Sequence, residues 1–118
     1  MLKKWMLTLL ITPTLYSDTL GALLFHGNCS TCHYIKEDKS APSMMKVRQR
    51  YKTVFTQKKE FVAYMSQWVA NPSAERSIMQ DEIQKHGLMP QLAFDEEVLK
   101  EITTYIYETD FSKESTLR

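Results

Sequence analysis

Glycine is scarce in this chain: three residues in 118, with no stretch rich in serine and glycine. A flexible linker to a second domain is therefore missing, and no internal repeat or low-complexity tract takes its place. Strand signals are missing too, since no alternating run is flanked by hairpin-turn residues. The apolar stretch from Trp5 to Leu15 falls well below the ~20 residues of a membrane-spanning helix and is broken by Pro13. Charge of one sign is also lacking: 15 Lys and Arg stand against 14 Asp and Glu. That balance gives no pull toward nucleic acid or an anionic membrane. Cysteine is rarer still, and its two occurrences are Cys29 and Cys32.

The N-terminus reads as an export signal. Lys3 and Lys4 make a positive start, the apolar stretch follows, and the small Ser17 suits cleavage. Residues 1–17 are expected to be a signal peptide; an uncleaved anchor is the alternative. Residues 18–111 would form one small domain, and residues 112–118 a polar, frayed tail. Without Lys3 and Lys4 the chain carries 13 basic and 14 acidic residues, a net charge of −1.

Both cysteines belong to Cys29-Ser30-Thr31-Cys32-His33, a C-x-x-C-H pentapeptide. This is the attachment pattern of c-type haem. Two intervening residues let both sulfurs reach vinyl groups on adjacent edges of the ring. The histidine follows at once and can reach the iron as proximal ligand. Other uses of the pattern fit less well. A thioredoxin-like pair needs a strand leading into a helix, whereas Thr19 to Gly27 reads as helix. A structural zinc site would crowd Cys29, Cys32, His26 and His33 onto one short loop. A plain disulfide is the remaining alternative.

The rest of the chain reads as helices and loops, an all-α fold of three to five short helices around one covalent haem c. A first helix, capped by Ser17 or Asp18, carries Leu20, Leu23, Leu24 and Phe25 up to Gly27. Tyr34 to Pro42 is loop, and Met44 to Tyr51 a short helix. Lys58 to Ala70 has Phe61, Val62, Met65, Trp68 and Val69 at helical spacing and is stopped by Asn71-Pro72. Ser73 is expected to cap a further helix running toward His86 and ended by Gly87. The last helix starts at Asp95, with Phe94 and Leu99 placed for a hydrophobic staple and Glu96 and Glu97 at the positive end of the dipole. Val98, Leu99, Ile102, Tyr105 and Ile106 line its apolar face.

The second iron ligand largely decides what such a haem does, because one protein ligand leaves iron open to small molecules and two usually make an electron carrier. Met89 is the expected sixth ligand. It lies on a loop before the last helix, and Pro90 limits that loop's freedom. A thioether is a soft donor that favours ferrous iron. The rivals are Met44, Met45, Met65, Met79 and His86. Met65 belongs to an apolar helix face, and Met44 and Met45 follow Pro42 on the proximal side. Met79 precedes a similar loop-to-helix region. His86 is expected on a solvated helix end.

These residues together resemble the class I monohaem cytochrome c family, from about Gly21 to Tyr107. In that family a glycine and an aromatic at the spacings of Gly21 and Phe25 before the first cysteine let the first helix cross the last closely. Ile102 and Tyr105 look like the matching positions on the last helix. Pro42 resembles the family proline whose carbonyl accepts a hydrogen bond from the proximal imidazole. Met89-Pro90 looks like the bacterial ligand loop, and the wider pattern is similar to small periplasmic cytochromes of proteobacteria. Lys52 to Lys59 matches no family motif. The resemblance implies a periplasmic, non-enzymatic, monomeric carrier of single electrons that docks transiently with redox partner proteins. A fixed haem subunit of a larger complex and a gas-binding or peroxidase-like haem protein are the alternatives.

Trp68, Arg50 and Tyr51 offer donors suited to haem propionates, which need hydrogen bonds or counter-charges when buried. Lys46, Arg48, Arg50, Lys52, Lys58 and Lys59 make a basic stretch, while Asp95, Glu96, Glu97, Glu101, Glu108 and Asp110 make the last helix acidic. Such a separation could orient a partner, or be two solvated faces.

Overall fold

A computed structural model describes residues 8–9 and 16–113. Five helices fill the described part in the order α1 (Tyr16–Asn28), α2 (Met44–Val54), α3 (Lys58–Ala70), α4 (Gln80–His86) and α5 (Glu96–Glu108), with a 3-10 turn at Phe111–Lys113. No strand occurs among the described residues, and no helix there is long and apolar enough to cross a membrane. Most of the expected signal segment lies outside them. The backbone is already helical at Tyr16, so α1 begins ahead of the cap expected at Ser17 or Asp18.

Helix α5 is the centre of the fold, packed on one side against α1 and on another against α3. Its crossing with α1 is set at Gly21. A Cβ there would lie 2.9 Å from Tyr105 Cβ and 3.1 Å from the Glu101 carbonyl oxygen, so only hydrogen fits. Close approach lets Phe25 become fully buried, its ring 5.4 Å from Tyr105 and 5.5 Å from Phe111. Phe111 closes this end of the core, inside the expected domain of residues 18–111. Phe111–Lys113 is a turn anchored by a buried ring, and Ser112 N–H and Oγ–H both donate to Asp110 Oδ1. Against α3, Phe61 and Met65 meet Ile102 and Ile106 in the same cluster. A polar contact lies within this seam: Thr103 Oγ1–H donates to the Leu99 carbonyl, so Ser66 Oγ–H donates to Thr103 Oγ1 at 2.9 Å.

The α3 boundaries follow the apolar spacing. Helix α2 runs three residues past the expected Tyr51, from an N-cap at Ser43 whose Oγ accepts the Lys46 N–H. The helix expected from Ser73 starts only at Gln80. Residues 71–79 stay irregular because polar groups take their carbonyls: Trp68 Nε1–H donates to Ser73, Tyr64 Oη–H to Arg76, and Gln80 Nε2–H to Ala74 and Ser77. Such local bonds compete with a helical ladder.

Most of the basic stretch is divided among partners rather than spread over a free face. Lys46 pairs with Asp38 and Glu82, Arg50 with Asp81, and Lys58 with Glu108; Lys52 lies over the Tyr107 ring. Arg48 donates through Nε and Nη2 to the Ile106 and Tyr107 carbonyls, capping the last turn of α5, where the helix dipole also favours a cation. Arg48→Met keeps the stem but leaves those carbonyls uncapped. It is expected to cost about 2 kcal/mol in guanidinium chloride unfolding; an unchanged midpoint would contradict this role.

Candidate functional site

The pentapeptide is wound onto the end of α1. The Cys29 N–H donates to the Phe25 carbonyl at 2.8 Å and the His33 N–H to the Cys29 carbonyl at 2.9 Å, so one further turn carries the two cysteines and the histidine. Ser30 Oγ–H and Asn28 Nδ2–H donate to the His26 and Leu24 carbonyls, ending the helix. Cys29 is half-buried, Cys32 is exposed, and both are free thiols. Burial, with the Cys32 charge added, pushes the Cys29 thiol up to about 11. A thioredoxin-like nucleophile needs the opposite shift, so the redox-pair reading loses its chemistry here.

His33 is fixed by its second ring nitrogen. Nδ1 lies 2.8 Å from the Pro42 carbonyl oxygen, which can only accept, so Nδ1 carries the proton and Nε2 keeps its lone pair. Burial lowers the pKa of this ring, outweighing the Pro42 bond that raises it. A neutral imidazole with one oriented lone pair is what a metal requires of histidine. Two free thiols separated by two residues, followed at once by this imidazole, fit the donor set of haem c.

Further along the chain, Gly87 ends α4 with φ at +83°, its N–H bonded to the Ile83 carbonyl, and hands on to the Met89 loop. That conformation suits glycine. Met89 is half-buried on this loop. Its methionine rivals are placed differently: Met44, Met65 and Met79 are buried members of the packed core, and Met45 is exposed on α2. Trp68 is half-buried with its donor on Ser73, Arg50 is exposed and bidentate to Asp81 at 3.1 and 2.5 Å, and Tyr51 is buried among Phe55, Phe61 and Tyr64. To meet propionates, Trp68 and Arg50 would exchange these partners. Two open clefts, of about 530 Å3 beside Arg48 and Phe111 and about 600 Å3 between α3 and the start of α5, are lined by none of the pentapeptide residues.

His86 is the main correction. Its side chain is 9 % exposed, not solvated, because α4 turns it against Glu82, itself 8 % exposed, with His86 Nε2 and Glu82 Oε2 3.2 Å apart. Asp38 and Lys46 join the same cluster. Sequence reading missed this cluster. The one available signal was the i, i+4 spacing of Glu82 and His86.

Asp38 also locks the proximal loop. Its carboxylate accepts the Lys46 ammonium and the Ser43 N–H, which hold its pKa down to about 2. The unfolded value is near ~3.9, so this stabilisation is complete above about pH 4 and drains away as pH falls toward 2. Solvent screening at a partly exposed pair limits it to about 1 kcal/mol. Asp38→Asn is expected to remove that part of the acid-side loss, seen as a flatter stability profile between about pH 4 and 2. An identical slope in both proteins would refute the assignment.

Residues 19–110 match the family model described as cytochrome c. No curated protein and no solved structure matches the chain.

Proposed function

Because the chain belongs to the cytochrome c family, whose members work by haem-based electron transfer, we propose that it is a periplasmic carrier of single electrons. It holds one haem c through thioethers at Cys29 and Cys32. His33 and Met89 would hold its iron. When bound, the haem supplies reversible Fe(III)/Fe(II) cycling; everything else is the work of the chain.

The observation that carries this reading is the His33–Pro42 bond. It fixes the tautomer, aims Nε2 away from the backbone and raises the basicity of the ligating nitrogen. Phe25 and Ile35, both buried, belong to the core cluster against which Cys29 packs. Met89 offers a soft sulfur from a loop bounded by Gly87 and Pro90, while Met44, Met65 and Met79 are already committed to packing. With His33 and Met89 both holding it, the iron would have no site left for a substrate, which is why the reading is a carrier rather than an enzyme. The positive N-terminus followed by a short apolar stretch supports export, and transient partners are reached without a fixed interface.

Carbon monoxide tests this against a gas-binding or peroxidase-like role. The ferrous holoprotein is expected to leave its spectrum unchanged under carbon monoxide at neutral pH. Rapid, saturating conversion to a carbonyl spectrum would mean an open or displaceable sixth position and would end the carrier reading.

A further inference from the structure

The cluster between the loop that holds Asp38 and α4 has an unusual geometry at its buried end. Glu82 Oε2 and His86 Nε2 are 3.2 Å apart, yet they are not aligned as a hydrogen bond, and each lacks any other partner. Two buried polar atoms left so are costly. Their separation is close to the ~3.3 Å edge expected between two donors sharing one tetrahedral ion at bond lengths of ~2.0–2.1 Å. Helical i, i+4 spacing places both on one face, and an Asp38 oxygen completes a set of three ligand atoms all within 4.8 Å of one another.

We propose that Asp38, Glu82 and His86 form a binding site for a divalent transition ion of the zinc class, distinct from the haem iron. The ligands select the ion. An imidazole nitrogen with two carboxylates suits zinc and its neighbours, whereas calcium and magnesium prefer oxygen alone. Three protein donors leave a fourth position for water. Lys46 has two roles. Its ammonium lies 3.0 Å from Glu82 Oε1 and leaves Oε2 unclaimed. It also pairs with Asp38 Oδ2, as does Lys85 at 3.7 Å, so the two ammonium groups compete with an ion for that carboxylate. The competition makes this a moderate-affinity, exchangeable site rather than a permanent structural one.

Zinc chloride titrated into the haem-loaded protein in a calorimeter provides the test. One saturable site is expected, weakened about tenfold or more by His86→Ala and by Glu82→Gln, as loss of a ligand requires. Lys46→Met should tighten binding, a gain that a purely structural role for the cluster would not produce. X-ray absorption at the zinc edge of the unmutated protein needs no variant to fold and should show nitrogen and oxygen neighbours only. No saturable binding, or binding indifferent to both His86→Ala and Glu82→Gln, overturns the site. So does sulfur around the zinc, which would place the ion at Cys29 and Cys32 and count against haem attachment as well.

Discussion

A Cys29→Ala, Cys32→Ala double variant is expected to retain no covalently attached haem, and the unmutated protein is expected to retain one per chain. These are the only cysteines in the sequence, and both stand as free thiols at the end of α1. No other side chain offers the chain a thioether link. Each sulfur is carried by the turn that also sets His33, so loss of the anchors leaves His33 oriented by Pro42 but with nothing tethered above it. The effect reaches stability, because a core this small is marginal without a large apolar centre. Haem staining after denaturing electrophoresis reads the result. Single variants should keep one thioether and an altered pyridine haemochrome spectrum. Haem that survives denaturation in the double variant would refute the attachment.

Gly21→Val should destabilise the fold by about 3 kcal/mol or more, the upper end of the cost of overpacking. The clash is with Tyr105 Cβ at 2.9 Å and the Glu101 carbonyl at 3.1 Å, neither of which is the free end of a flexible side chain. Relief requires α1 and α5 to separate, and that opens the packing of Phe25 against Tyr105 and Phe111. Replacing a helical glycine would by itself gain up to ~1 kcal/mol in propensity, less for a β-branched residue, so the steric term decides the sign. Gly21→Ala tests the same crossing more gently and is expected to lose stability despite its better propensity. The guanidinium chloride midpoint of the holoprotein checks both; an unchanged midpoint in the valine variant would contradict the close crossing.

Local signals made much of this legible. C-x-x-C-H carries its own chemistry in five residues. Strong periodicity in Lys58 to Ala70 and the Asp95 start of the last helix placed α3 and α5 directly. The resemblance of Gly21 and Pro42 to family positions matches a close helix crossing and a hydrogen bond in the structure. What stayed hidden depended on contacts distant in sequence. Residues 73–79 carry weak helical spacing, and only the side chains of Trp68, Tyr64 and Gln80 explain why they do not wind. His86 reads as a polar residue at a helix end, but the proximal loop folds over it. The basic stretch looks like a continuous face until α5 and α4 supply its partners. Phe111 lies beside a polar tail and is buried by rings from α1 and α5.

The optical spectrum of the ferric holoprotein, compared with that of Met89→Ala, bears most directly on the central claim of His33 and Met89 ligation. A low-spin ferric spectrum with the weak near-infrared charge-transfer band of a sulfur-bound haem is expected, and loss of that band in the variant. A low-spin spectrum without the band, or one that Met89→Ala leaves untouched, would contradict Met89 as ligand; a high-spin spectrum in the unmutated protein would contradict the electron-carrier account itself.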